Sequence, residues 1–343
     1  MKFIVRSAKH VAAGIVFCAV IVSWCGGSLA RAADQELDKK PAIASPLGRF
    51  LLVAAEGLYI VEPDLTCSWS HTFQRPEHPS LARFDDLIYD GHMLPNGNII
   101  YGTSRYVREM DREKRTVREF RIKPPAEIKS FALLPEGRLA VLHSDEQAIL
   151  EIAWAAGETG KVLHRIPVPA EAKTGHYRYG LLRRTPDDTY LVAQRMENRF
   201  VEVKRDGTIL RSFKVLSLPV VATREPDGST LCSARVEVTR FNAAGEKIWS
   251  FTRTDAAPDF PLIIAGGTAT LPDGRLVVVN SDWHYQEPDQ NRVQLFAVDA
   301  DKKVSWMLPA SAFAGWKKSW ADHASGLIEH RCSLIELIQQ RQP

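Results

Sequence analysis

The sequence predicts an all-β fold, a six-bladed β-propeller, from three observations. A turn signal recurs six times, its copies are spaced by about the length of a four-stranded blade, and tight hairpins follow the copies. The signal reads Leu-Pro-x-Gly-x. It stands as Leu94-Pro95-Asn96-Gly97-Asn98, Leu134-Pro135-Glu136-Gly137-Arg138 and Leu271-Pro272-Asp273-Gly274-Arg275. Looser copies are Pro186-Asp187-Asp188, Pro226-Asp227-Gly228 and Pro46-Leu47-Gly48. The prolines at 46, 95, 135, 186, 226 and 272 are 49, 40, 51, 40 and 46 residues apart.

The strands follow in the same order within each copy. A β-rich run comes directly after the turn, as in Leu139 to Leu142, Tyr190 to Ala193 and Leu276 to Val279. A later hairpin then carries the chain into an outer strand. Examples are Val203-Lys204-Arg205-Asp206-Gly207-Thr208-Ile209-Leu210, Phe241 to Trp249 and Val298 to Trp306. Asp-Gly and Ala-Gly supply the positive φ of a tight hairpin, and the flanking residues are β-branched or aromatic. Trp69, Trp249 and Trp306 recur near the ends of these copies and are expected to plug the gaps between blades.

The first copy lacks an inner strand before Pro46, and the chain ends on an apolar segment around Ser325 to Glu329 with no turn of its own. Pairing a C-terminal strand with three N-terminal strands closes the ring and removes its free edges. Cys332 then lies on an inner strand and Cys67 on the outermost strand of the same blade. Three strand spacings separate them by ~14 Å, beyond disulfide reach, so free thiols are expected.

The first 33 residues read as a secretory signal peptide. Lys2, Arg6 and Lys9 precede the apolar run Val11 to Trp24, and Ala30-Arg31-Ala32 offers a small-x-small cleavage site. Lipidation at Cys25 is the alternative. Residues 34–45 read as a linker and 46–343 as one propeller domain. Cleavage after Ala32 removes four basic residues and no acid, leaving 40 Lys and Arg against 41 acids, a net charge of −1. A near-neutral domain with no basic block gives no electrostatic case for nucleic acid. No membrane span is expected once the signal is gone, and the location read from it is periplasmic or secreted.

The repeats resemble bacterial propellers of the pyrroloquinoline-quinone-like and arylsulfotransferase-like type. The resembling residues are Leu94 to Asn98, Gly245-Glu246-Lys247-Ile248-Trp249 and Gln294 to Val298 through Trp306. The resemblance implies architecture, because such repeats serve quinone dehydrogenases, sulfotransferases and scaffolds alike. It also implies where each chemistry would sit. A quinone enzyme would hold a calcium ion over the channel, and no matching Glu/Asn/Asp set is present. A sulfotransferase would carry a histidine nucleophile. Asp90-Gly91-His92 is similar to the His-Asp before such turns, with the order altered and a glycine between, which makes His92 the residue to inspect.

Topology restricts where a site can be. Each Pro-x-Gly turn joins the inner strand to the second strand, so the loop leaving the second strand emerges on the opposite face, beside the loop entering the inner strand. Nine or ten residues past each proline stand Glu56, Arg105, Asp145, Arg195, Arg235 and Asp282, all charged. Beside them lie His143, Gln194, Asn280 and His284. The entering loops add Asp85, Asp86, His176, Tyr177, Arg178, Asp322 and His323. The planar fork of arginine suits carboxylate, phosphate or sulfate.

The ligand-binding candidates are therefore Arg105, Arg195, Arg235, Asp282, Asp145, Glu56, His176 and Arg178. A ring of structural salt bridges accounts for the same charges. No complete metal or catalytic motif is present, and the sequence identifies no cofactor. Candidate acid/base groups are His92, His143, His284 and His323. The readings that follow are a non-catalytic propeller binding a small anionic or carbohydrate ligand or a protein partner at the channel mouth, a sulfotransferase-like or lactonase-like hydrolase acting on an anionic or polyhydroxyl substrate, and a quinone-binding redox protein. The long segment from His71 to Asp90 is a candidate lid over the channel.

Overall fold

The turn signals fold as their residues dictate. In Leu94–Asn98, Gly97 takes φ 87°, its N–H donates to Leu94 O at 2.9 Å, and the Leu94 N–H donates to Asn98 O at 2.8 Å. Gly228 and Gly274 repeat the bond at 3.0 and 2.9 Å, back to Glu225 and Leu271. In the copy without glycine, Asp188 itself adopts φ 58°, a region that Asp tolerates better than most side chains.

The computed structural model describes residues 46–54, 57–72, 87–173, 175–281, 293–309 and 311–312, together with the backbone of 332–337. These form six four-stranded antiparallel sheets, the blades of a six-bladed β-propeller. The inner strands of blades 2 to 6 are Ile88–Met93, Ile128–Leu134, Tyr179–Arg184, Pro219–Arg224 and Ile264–Thr270. Blade 1 takes its inner strand, Cys332–Leu337, from the C-terminal end and pairs it with Phe50–Ala54, which is followed by Gly57–Val61 and Cys67–Thr72. The closing strand thus lies a few residues beyond the segment that its apolarity suggested. Cys332 and Cys67 stand on opposite edges of one blade, and Cys67 and Cys232 are free thiols. The expected lid segment begins and ends in strand, at Cys67–Thr72 and Ile88–Met93; residues 73–86 between them lie outside the described residues.

Each inner strand touches the inner strands of both neighbours, closing a ring around the channel. The core is divided accordingly, with apolar clusters lying between adjacent blades. One joins Leu52 and Tyr59 of blade 1 to Val277 and Leu295 of blade 6. Another joins Leu142 and Ile149 of blade 3 to Tyr190 and Val201 of blade 4.

A polar hook accompanies this packing at one register position. Trp69, Arg118, His164, Arg211, Trp249 and Trp306 all sit on outer strands opposite equivalent residues of the third strand, namely Ile60, Glu109, Glu151, Glu202, Arg240 and Ala297. Five of the six reach the next blade's outer hairpin. Trp69 and Trp249 donate to the carbonyls of Arg112 and Ala300, both at 2.9 Å, and His164 Nε2 lies 2.8 Å from Arg205 O. Arg118 and Arg211 donate to Trp154 O and Ala243 O. Trp306 packs its ring against the cluster between blades 6 and 1. The expected tryptophan plugs are therefore present, and Arg and His take the same place in three blades.

The change from Trp to a charged or basic hook follows the opposite residue. Glu109, Glu151 and Glu202 are fully buried and need partners. Glu151 receives Arg205 Nε at 2.7 Å and the Tyr190 hydroxyl at 2.8 Å, both from blade 4. Burial works to raise its pKa, and these two partners outweigh it and hold the carboxyl below its ordinary value.

The ring leaves no room at Gly180 on the inner strand of blade 4. A Cβ there would lie 2.6 Å from Val220 O and 2.8 Å from Pro219 O of blade 5. Both are backbone atoms and cannot swing aside. Gly180→Ala is expected to lower the unfolding free energy by about 1–3 kcal/mol, as other forced overpacking does. Urea unfolding of the variant checks this, and an unchanged midpoint would contradict it.

Candidate functional site

The face opposite the Pro-x-Gly turns is assembled by backbone pairing between its two kinds of loop. Ser144 N–H donates to Glu127 O at 2.8 Å, Arg195 N–H to Arg178 O at 2.9 Å and Arg235 N–H to Leu218 O at 3.1 Å. In each case the loop after the second strand is tied to the loop entering the inner strand. Arg105, Asp145, Arg195 and Arg235 thus occupy equivalent turns on one face, and His176 and Arg178 join them from the short helix Gly175–Arg178.

Their side chains do different things. Arg105 donates to Ala126 O, tying blade 2 to the loop entering blade 3. Arg178 spends its fork on the carbonyls of Ala172, Ser144 and Lys173 at 2.8, 2.9 and 2.8 Å, and so builds the loop that carries His176. Asp145 caps the Glu127 N–H at 2.9 Å and lies 3.7 Å from Arg178. Arg235 is exposed on the turn of blade 5. Gln194 and Asn280 bond loop carbonyls, to Pro169 at 2.8 Å and to Pro261 at 3.0 Å. Glu56, Asp282, His284, Asp85, Asp86, Asp322 and His323 lie outside the described residues.

His143 is buried at the end of its strand, where its Nδ1 accepts from the Glu146 N–H at 3.2 Å. Burial lowers its pKa, so the ring is neutral near pH 7. His92 stands in the channel wall, with Nε2 3.6 Å from Asp90 and its ring edge-on to Phe131 at 5.4 Å. Asp90 is already held by the fork of Arg183 at 2.8 and 3.0 Å and by the Ser130 hydroxyl. Ser130 donates to Asp90 and not to His92, so the three do not form a serine–histidine relay. Asp90, Ser130 and Arg183 instead join the inner strands of blades 2, 3 and 4. Among the described residues, no three His, Cys, Asp or Glu side chains could share a metal ion.

One charged cluster is built at the mouth itself, between blades 2, 3 and 4. Lys129, on the inner strand of blade 3, is only 4% exposed. Its Nζ pairs with the Glu127 carboxylate, lies 3.3 Å from His176 Nδ1, and sits 5.6 Å from the centre of the Tyr89 ring. His176 Nδ1 is also 3.5 Å from Glu127. Arg195 is close enough to repel Lys129 and to be attracted by Glu127.

The electrostatics follow from that enclosure. Burial pulls the Lys129 amine down to about 8, Glu127 restores part of the loss, and Arg195 pushes the same way as burial. Burial also works to raise the Glu127 carboxyl, but His176 and Lys129 outweigh it and hold it at about 2. Arg195 is lowered too, chiefly by burial, against the pull of Glu127. Lys129 and Arg195 therefore face the ionised Glu127 carboxylate, and Asp145 adds a second attraction on Lys129.

Beside this cluster is an open depression of about 400 Å³, lined by Glu171, Ala172, Lys173, Tyr177 and Met196. Tyr177 stands edge-on to His176 at 5.2 Å, and Met196 follows Arg195 in the chain. Both project into solvent, at 54% and 57% exposure, unusual for large apolar side chains. The face thus presents a charged corner next to an aromatic and thioether surface.

Arg195, His176 and the face itself were legible in the sequence; Lys129, Glu127, Tyr89 and Met196 were not. Counting from the turn prolines finds only turn residues. A signal was nonetheless present: Lys129 is the only lysine on any inner strand, set in the otherwise uncharged run Ile128–Leu134.

No protein-family model matches the chain, and no curated protein matches it. Solved structures share its fold. A protein of unknown function from Bacteroides caccae superposes with a TM-score of 0.67 at 18% identity, covering 84% of this chain and 98% of that one. Streptogramin B lyase superposes at 0.51 with 11% identity, covering 76% and 80%. A catalytically inactive virginiamycin B lyase from Staphylococcus aureus with quinupristin superposes at 0.50 with 12% identity, covering 79% and 86%. These likenesses show the propeller architecture and are not specific to quinone or sulfotransferase repeats. No helix among the described residues is long and apolar enough to cross a membrane.

Proposed function

We propose that this chain is an exported propeller that binds a small carboxylate ligand with an apolar body at the loop face of blades 3 and 4. The carrying observation is the Lys129–Glu127–His176–Arg195 cluster beside the Tyr177 and Met196 surface. Arg195 and Lys129 supply charge and hydrogen-bond donors for the acid group. Tyr177 and Met196 supply an adaptable apolar contact for the rest of the ligand. Export rests on the pattern of residues 1–33.

The test is calorimetric titration of the protein with benzoate, acetate and sulfate. Benzoate is expected to bind more tightly than acetate, because only benzoate reaches the apolar surface. At about 100 times its Kd it would stabilise the fold by ~2.7 kcal/mol. Equal, negligible heats for all three anions would refute the reading. The pH dependence has a definite sign. Benzoate is fully ionised above pH about 6, while Lys129 is charged below about 8. Affinity is therefore expected to hold between these limits and to fall as pH rises through about 8; a flat profile to pH about 10 would remove Lys129 from the site.

A further inference from the structure

Lysines ordinarily keep the ammonium in water and bury only the stem. Lys129 does the reverse, with the amine enclosed at the channel mouth against the Glu127 carboxylate and 3.3 Å from His176 Nδ1, which accepts from it in the tautomer protonated on Nε2. A second cation, Arg195, lies close by. A fully charged clamp for an anion gains nothing from this burial, since a surface lysine serves that role with its charge intact. Desolvation beside another cation is instead the setting in which a lysine amine becomes a nucleophile toward carbonyl carbon.

We propose that Lys129 captures carbonyl compounds that carry an acid group, the 2-oxo acid class, as a reversible imine. In this arrangement Arg195 holds the carboxylate and His176 handles the protons. The inference rests on the anion-binding reading above and deepens it.

The chemistry balances within the site. The Lys129 ammonium gives a proton to the His176 imidazole, and the freed pair on Nζ forms the N–C bond as the carbonyl π pair moves onto oxygen. The oxygen takes that proton back from His176, and the nitrogen gives its extra proton to the same ring, leaving a neutral carbinolamine beside protonated His176. His176 then protonates the hydroxyl, which leaves as water while the nitrogen lone pair forms C=N. Ammonium and carbonyl become protonated imine and water, with His176 restored and no change of oxidation state. Hydrolysis reverses each step.

The experiment treats the protein with glyoxylate and then sodium borohydride, which reduces an imine to a stable secondary amine, and maps the label by peptide mass spectrometry. Lys129 is expected to carry at least about tenfold more label than the exposed Lys173 and Lys204. Labelling should rise as pH passes through about 8 and level off above it, over the same range in which benzoate affinity falls. Lys129→Arg should lose the label, and His176→Gln should slow labelling at Lys129. Lys204→Arg, exposed and outside the cluster, should leave both benzoate binding and Lys129 labelling unchanged. Label spread evenly over the lysines, or absent from Lys129 with benzoate still bound, overturns the imine and leaves the ligand site standing. Absence of both benzoate binding and labelling removes both readings.

Discussion

Glu202→Ala is expected to cost about 3–5 kcal/mol of folding stability, the loss typical of breaking a buried ion pair from one side. Glu202 is 1% exposed and holds three partners. Arg224 of blade 5 donates at 2.5 Å, Arg211 of its own blade at 2.8 Å and the Thr189 hydroxyl at 2.7 Å. Arg211 can turn to solvent, but the Arg224 side chain is only 6% exposed and would keep its charge with no carboxylate to answer it. The damage lies at the junction of two blades, where closure of the ring depends on contact. Urea unfolding at neutral pH measures the effect. Replacing both members, Glu202→Met with Arg224→Met, should recover much of the loss, because a well-packed apolar pair avoids the desolvation cost. A single-variant cost below about 1 kcal/mol would show that water reaches this junction.

Arg195→Ala is expected to weaken benzoate binding about 10–100-fold. A hydrogen bond to a charged group contributes ~1.5–3 kcal/mol, and each ~1.4 kcal/mol is a factor of ten in Kd. The informative control is Arg235→Ala, in the equivalent turn of blade 5. Arg235 is exposed, and its backbone N–H still meets Leu218 O whichever side chain is present. Its loss should change Kd by less than about twofold, as surface substitutions away from a site do. Titration of both variants decides the matter. Equal losses would mean a diffuse field over the whole face, and no loss in either would move the ligand elsewhere.

The three arginines mark how far repeat register reaches. Register places Arg105, Arg195 and Arg235 at equivalent turns of one face, because every blade repeats the same hairpin order. What each guanidinium does depends on the neighbouring blade. Arg105 meets a carbonyl of the loop entering blade 3, Arg195 meets the charge field of Lys129 and Glu127, and Arg235 remains exposed. Arg178 was legible as a charged residue beside the channel, but only the folded loop turns its fork onto three backbone carbonyls.

The sequence by itself determined the number of blades, the position of the Pro-x-Gly turns and the closure of the ring by a C-terminal strand. All of these are local signals repeated along the chain: a glycine or Asp where φ is positive, a proline before it and β-branched runs after it. The tertiary structure decided which side chains meet. Trp69, Arg118, His164, Arg211 and Trp249 share no residue type, yet all hook the next blade from one register position. Lys129, Glu127, His176 and Arg195 come from two blades and up to 68 positions apart in the chain. Enclosure between blades lowers the pKa of Lys129 and of Arg195, and enclosure is a property of the closed ring that no single repeat contains.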